Sequence, residues 1–175
     1  RLIQDDIPSI HVWLILRSGE RVRLHTLHPR PPSPQESDTS LWRDAELLLV
    51  GKEIREHAGP TLLIGDLNDV AWSRTTRMFT RVSGMLDPRR GRGMFATFHA
   101  EYRLLRWPLD HIFVTEHFTL RHMERLKGFG SDHFPIMATL CYQPSRSDEN
   151  DKPEPEGDDK QDAKETIHAA RTAAQ

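Results

Sequence analysis

One stretch constrains this chain more than any other. Thr61-Leu62-Leu63-Ile64 is followed at once by Gly65-Asp66-Leu67-Asn68-Asp69. A short apolar run bounded by Pro60 and Gly65 predicts a strand buried on both faces, and such a strand needs covering layers above and below. Glycine permits a tight exit from the sheet. In an extended exit Asp66 and Asn68 point one way while Leu67 turns back into the core. A carboxylate and an amide then converge at the strand's end. That pair suits placing a water and holding a phosphate oxygen or a cation. The same residue types also serve local turn hydrogen bonds.

The flanking sequence predicts alternation of strands and helices. Residues 10–16 read as a strand, joined through Arg17-Ser18-Gly19-Glu20 to an alternating strand at 21–27 with Val22, Leu24 and Thr26 on one face. Asp38, Thr39 and Ser40 offer N-caps for a helix that Gly59-Pro60 stops. A second helix covers 73–82, closed by Gly84. Residues 87–94 form a basic, glycine-rich loop, and 96–99, 111–115, 118–123 and 135–142 are further strand candidates. Such alternation argues for a layered α/β domain over residues 1–144.

Hydrophobic content, at 37%, is low for a compact domain, and the chain's end accounts for part of that. From residue 146 onward there are nine acidic and five basic side chains, so an acidic tail follows a slightly basic body. Residues 145–175 lack an apolar period and are expected to be disordered, with 163–174 able to form only a marginal helix. The net charge of −2 does not mark a nucleic-acid binder by itself. The single cysteine, Cys141, excludes an intramolecular disulfide and reads as a small core residue. No stretch approaches the roughly 18 apolar residues that span a bilayer, and no signal peptide is visible. The chain does not begin with Met, so it reads as a piece of a longer protein, cytoplasmic or anchored to a membrane through an upstream segment.

Three more constellations carry chemistry. In Leu109-Asp110-His111-Ile112-Phe113, Asp110 stands between apolar neighbours, where an unpaired charge is costly. It needs a partner, and a histidine is a natural one. In Gly130-Ser131-Asp132-His133-Phe134-Pro135, Asp132 can bind a cation while His133 acts as acid, base or charged donor near neutral pH. In His25-Thr26-Leu27-His28-Pro29-Arg30-Pro31-Pro32, His28 lies at a strand's end, where loops build sites. His25 falls on the opposite face, so the two do not chelate one metal, and His25 reads as structural. Trp72 or Trp107 offers a surface for stacking a base, and Arg74, Arg77, Arg89, Arg90, Arg92, Arg103 and Arg106 offer phosphate contacts. Solvated arginines and packed tryptophans account for the same residues equally well.

HPRPP, GDLND, LDHIF and GSDHFP, in that order and each at a strand's end, resemble the C-terminal half of the endonuclease/exonuclease/phosphatase superfamily. Deoxyribonuclease I, exonuclease III and the sphingomyelinases belong there. The resemblance covers about residues 10–142, and the run at 68–73 looks like a bacterial branch. It implies a two-sheet α/β sandwich of the deoxyribonuclease I-like type. This chain would supply one sheet and its helices, leaving an inner apolar face unmatched and open to self-association.

The resemblance also implies a hydrolase acting on phosphate esters, with Mg²⁺ (or Mn²⁺) as cofactor. Asp66 would orient or deprotonate the attacking water, and Asn68 would contact the phosphate or help place the metal. Asp132 would be a metal ligand. His133 would hold the scissile phosphate oxygen, with Asp110 fixing its orientation, and His28 would be a second active-site histidine. Trp72, Arg74 and Arg106 are the substrate-binding candidates. Nucleic acid is the first expected substrate, and a phospholipid or inositol phosphate the second. In this family the N-terminal half supplies an Asn and the main metal-binding Glu, which would precede this chain. Gln4, Asp5 and Asp6 have no strand context to replace them. The isolated chain is therefore expected to bind metal poorly and to be weakly active. The rival reading is a non-catalytic binding fragment, or a truncated product that pairs with a second chain.

Overall fold

The computed structural model describes residues 2–3, 7–31, 37–102 and 104–174. Gln4, Asp5, Asp6, Pro32 and Arg103 from the sequence reading lie outside them. Strands β1 (Ile10–Ile15) and β2 (Arg21–Thr26) form an antiparallel hairpin. Strand β3 (Thr61–Asp66) runs parallel to β2, and β4 (Asp110–Val114) antiparallel to β3, giving the order β1-β2-β3-β4. A parallel pair needs a long crossover, and helix α1 (Ser37–His57) supplies it between β2 and β3. Residues 38–40 lie within the first turn of α1, not before it. Helix α2 (Arg74–Ser83) matches its sequence signals: Ser73 Oγ accepts from the Thr76 N–H, and Gly84 closes the helix at φ 75°.

Strand alternation sorts the side chains onto two faces. Leu63 and Phe113 face the helices and pack with Leu48, Ile54, Phe79 and Met85 in the main core. Leu62, Ile112 and Val114 face the other way, toward Val22, Phe118, Leu140 and Tyr142. That second layer is a separate two-stranded antiparallel sheet of β5 (Phe118–Arg125) and β6 (Ile136–Tyr142). The chain therefore contributes strands to both sheets, not to one as expected. A tight turn, closed by the Phe118 N–H donating to the Thr115 carbonyl at 3.2 Å, carries it between layers. The β3 strand is correspondingly asymmetric. Leu63 is fully buried, while Leu62 and Ile64 are half-buried. Cys141 is also half-buried, on β6, and not in the core.

The edge of the larger sheet is bare. All six residues of β1 are exposed, Ile15 to 75%. An open apolar edge invites pairing with another chain or segment. Residues 96–99 do not form a strand. Phe98 alone bridges both Trp107 and His133, and no second residue extends either ladder.

The tail departs most from expectation. Residues 144–149 form a 3₁₀ turn, and helix α3 (Asp159–Ala173) is ordered against α1 and α2. Ala163, Ile167 and Ala170 are buried in the main core. Ion pairs hold the helix from outside: Arg81 Nε and Nη2 reach Asp159 at 2.6 and 2.8 Å, and Arg74 reaches Asp162 at 2.6 Å. Two alanines and one isoleucine are too sparse a stripe to stand out in sequence, yet they fit closely against neighbouring helices. Truncating buried isoleucine leaves a cavity. Ile167→Ala is expected to lower stability by about 2 kcal/mol, read as the urea midpoint. An undocked tail would leave that midpoint unchanged.

Among the described residues, no helix is long and apolar enough to cross a membrane.

Candidate active site

The register of β3 and β4 builds the site. Asp66 and Asp110 are directly opposed Cα partners at the ends of the two strands. Directly opposed residues share a face. Asp110 lies two and four residues from Ile112 and Val114, so both carboxylates face the second layer. His133 arrives from that layer, just before β6. Its Nδ1 lies 2.7 Å from Asp110 Oδ2, and its Nε2 lies 3.7 Å from Asp66 Oδ2. An ionised carboxylate only accepts, so Nδ1 carries the proton and Nε2 faces Asp66. The His133 ring is packed against Phe98 with centroids 4.9 Å apart.

His28 enters from the end of β2, with Nε2 3.7 Å from the same Asp66 Oδ2. Two imidazoles thus converge on one carboxylate oxygen. Asp66 is pushed above the usual carboxylate range, chiefly by burial and further by Asp110; the Asn68 backbone N–H, His133 and His28 oppose the shift. Asn68 sits at φ 50°, a conformation Asn tolerates better than most residues. Its backbone N–H donates to Asp66 Oδ1 at 2.8 Å, and its side-chain Nδ2 donates to the Pro29 carbonyl at 2.9 Å. Asn68 therefore ties the His28 loop to the end of β3, an arrangement the sequence reading did not foresee.

Asp132 is exposed, its carboxylate 3.5 Å from Ser131 Oγ. Among the described residues, no group of three His, Cys, Asp or Glu side chains converges as a metal site. Arg106 stacks over the Phe134 ring, 4.8 Å from its centroid, and donates to the Tyr102 and Ala100 carbonyls. It borders the His133 loop, because the Ala100 N–H donates to the Asp132 carbonyl at 2.6 Å. Trp72 is half exposed and lines a cavity of about 720 Å³ with Arg77, Arg90 and Pro108. Arg74 is turned toward Asp162 on α3, and no contact links it to the cluster among the described residues. His25 is fully buried against His11, with their Nδ1 atoms 2.6 Å apart, away from the cluster as expected.

The family model for the Endonuclease/Exonuclease/phosphatase family matches residues 1–133. The chain belongs to this family. Solved structures agree on the fold, which is that of deoxyribonuclease I-like proteins of the endonuclease/exonuclease/phosphatase family. A mannosyl-6-phosphatase from Bacteroides thetaiotaomicron is 20% identical with TM-score 0.56, covering 71% of this chain and 53% of that one. The human Nocturnin catalytic domain, solved with a bound sulfate anion, is 17% identical with TM-score 0.59, covering 77% and 53%. A humanized Danio rerio TDP2 is 19% identical with TM-score 0.60, covering 76% and 60%. The chain thus spans little more than half of each. No curated protein matches it.

Behind Asp110 lies a further set of contacts that the sequence reading missed. His111 points to the helix face, fully buried and stacked on Phe113 with centroids 5.2 Å apart. Its Nδ1 faces Arg89 Nη2 at 2.7 Å, and its Nε2 faces the Asp69 carbonyl at 2.8 Å. Arginine only donates, so Nδ1 accepts and Nε2–H donates, which fixes a neutral ring. Arg89 also donates to the Asp110 carbonyl at 3.2 Å and is held by Asp87. The signal was the adjacency of Asp110 and His111, because neighbours on a strand face opposite ways.

This network has a pH consequence. Burial, then the Arg89 charge, pushes His111 down to about 4. Burial, then His11, pushes His25 down to about 4. The unfolded chain takes up these protons near 6.5, where the folded chain does not. Stability is therefore fully present above about pH 6.5 and is lost as pH falls toward about 4. Urea midpoints measured from pH 7.5 to 4.5 are expected to fall, and to fall less in His25→Asn. A flat profile contradicts both assignments.

Proposed function

We propose that this chain forms the C-terminal half of a hydrolase that cleaves phosphodiester bonds, in nucleic acid first. The observation that carries the reading is the convergence of His133 and His28 on Asp66 Oδ2, with Asp110 behind His133. Asp66 takes a proton from an attacking water. Its pKa, raised by burial and by Asp110, makes it a better base than an ordinary aspartate. Where His133 and His28 carry a proton on Nε2 they donate it to the non-bridging phosphate oxygens; for His133, whose Nδ1–H is held by Asp110, that is the doubly protonated ring. Asn68 ties down the His28 loop through one amide N–H, and its second N–H and its Oδ1 are the groups that meet the phosphate or help place a metal.

The described residues do not fit a complete Mg²⁺ site, since no three ligands converge among them. If Mg²⁺ or Mn²⁺ takes part, Asp132 is the hard oxygen donor this chain offers, and the remaining ligands come from outside the described residues. The nucleic-acid reading is supported by the half-exposed Trp72 beside Arg77 and Arg90, neither of which makes a salt bridge among the described residues.

A second reading has its own observation. Leu104, at 95% exposure, with Leu105, Tyr102 and Phe129, projects from loops flanking Asp132 and His133. Aliphatic tips beside basic side chains suit a lipid-borne phosphoester. The test joins the chain to its upstream coding sequence. It assays single-stranded DNA, sphingomyelin vesicles and bis-p-nitrophenyl phosphate, each with and without Mg²⁺. Turnover of DNA that is lost in His133→Ala supports the first reading, and turnover of sphingomyelin alone moves the assignment to the second. No turnover of any of them would leave a binding fragment.

A further inference from the structure

The family match ends at residue 133, and α3 lies beyond it. Between α1 and α3 is a cavity of about 600 Å³, within the usual range for a small-molecule site. Its floor is apolar, made by Leu49, Val82, Ala163 and Ile167, the last three of them buried. Its rim is cationic. On α3, Lys160, Lys164, His168 and Arg171 fall at i, i+4, i+8 and i+11 and form one stripe beside the buried alanines.

The acids on the rim are already engaged. Arg55 holds Glu154 at 2.9 and 3.1 Å, and Lys52 lies 3.8 Å from Glu56. Lys160, Lys164 and Arg171 make no salt bridge among the described residues. Like charges four apart on a helix repel and weaken it, so an anion seated over this stripe relieves a cost the helix carries alone. An inorganic anion leaves the apolar floor wet, and a cationic amphiphile meets the rim's charge. The group that satisfies both surfaces has one alkyl chain and one anionic head. Lysine stems can lie along such a chain while their ammonium groups reach its head.

We infer that the α1–α3 cavity binds a single-chain anionic amphiphile, with the alkyl chain on Leu49, Val82, Ala163 and Ile167 and the head between Lys160 and Lys164. This does not depend on the proposed hydrolysis, and the site lies on the helical layer. The experiment titrates dodecanoate, below its micellar concentration, into the chain by isothermal calorimetry. Acetate, inorganic phosphate and dodecyltrimethylammonium serve as comparisons. Dodecanoate is expected to saturate at one per chain, and the three comparisons are not. The double substitution Lys160→Glu, Lys164→Glu lies on the solvent side of α3. It should weaken dodecanoate at least tenfold with an unchanged circular dichroism spectrum. Shortening the probe to octanoate should weaken it severalfold, because less chain is buried. Absence of saturable binding, equal binding of the cationic amphiphile, or indifference to the charge reversal overturns the inference.

Discussion

Replacing Asp110 by Asn is expected to lower kcat by about 10²–10⁴-fold, the usual span for a positioned acid or base, with KM little changed. The reason is directional. Asp110 Oδ2 accepts from His133 Nδ1 at 2.7 Å. A carboxylate offers only acceptors, so it holds His133 with Nε2 turned to Asp66, 3.7 Å away. An amide of the same shape lacks the negative charge that supports the ring when both of its nitrogens carry protons, so the donor at Nε2 is weakened, which leaves the geometry but not the chemistry. The backbone of Asp110 should not move, because its carbonyl is held by Arg89 and its N–H by Thr97 Oγ1. The measurement is steady-state hydrolysis of bis-p-nitrophenyl phosphate by the chain joined to its upstream sequence, with the urea midpoint as a fold control. A kcat within threefold of the parent, with the fold intact, would remove Asp110 from the mechanism. A lost midpoint would instead mark Asp110 as a structural residue.

What sequence could and could not tell follows from where the information sits. Asp66 and Asp110 stood out because each sits against apolar residues at a strand's end, where a charge needs a reason, and His133 stood out through the Gly-Ser-Asp-His-Phe-Pro motif before a strand. Their pairing was legible only as a need for partners. The distances come from the antiparallel register of β3 and β4, which is set by packing across two layers. The division of the chain between two sheets was not legible, because residues 111–115 and 118–123 read alike as strands and nothing local says that the turn between them changes layer. Helix α3 was missed for a related reason. Ala163, Ile167 and Ala170 carry little hydrophobic signal, and their burial is supplied by α1 and α2. Asn68 was read by residue type as a contact to phosphate or an aid in placing the metal. That one of its amide N–H groups goes to the Pro29 carbonyl, a neighbour 39 residues away, was not legible. Arg74 was read as a substrate contact, and its ion pair with Asp162, 88 residues away, was not legible.

The largest effect on stability is expected at Gly65, the residue that opens the site's first motif. Gly65→Ala should cost about 3 kcal/mol or more, beyond the usual range for one added methyl. A Cβ at this position would lie 1.9 Å from the Leu27 carbonyl oxygen, with the Leu27 carbonyl carbon and nitrogen at 3.0 and 3.2 Å. These are backbone atoms and cannot rotate away. The Leu27 N–H is bonded to the Ile64 carbonyl at 3.1 Å, so separating the two segments also breaks that bond. Leu27 precedes His28 and Gly65 precedes Asp66. Relief by separation would therefore pull His28 away from Asp66, and a misplacement of about 1 Å can cost on the order of 10² in rate. Backbone conformation contributes separately, since Gly65 has φ 150°. Gly91→Ala is the control. Its φ is 77°, and an added Cβ there meets nothing within 4 Å, so it should lose only the roughly 1–2 kcal/mol of a left-handed alanine. Urea unfolding of the two variants separates the causes. A Gly65→Ala loss no larger than that of Gly91→Ala would mean that the strand pair can give way, and that close approach to Leu27 is not what requires glycine before Asp66.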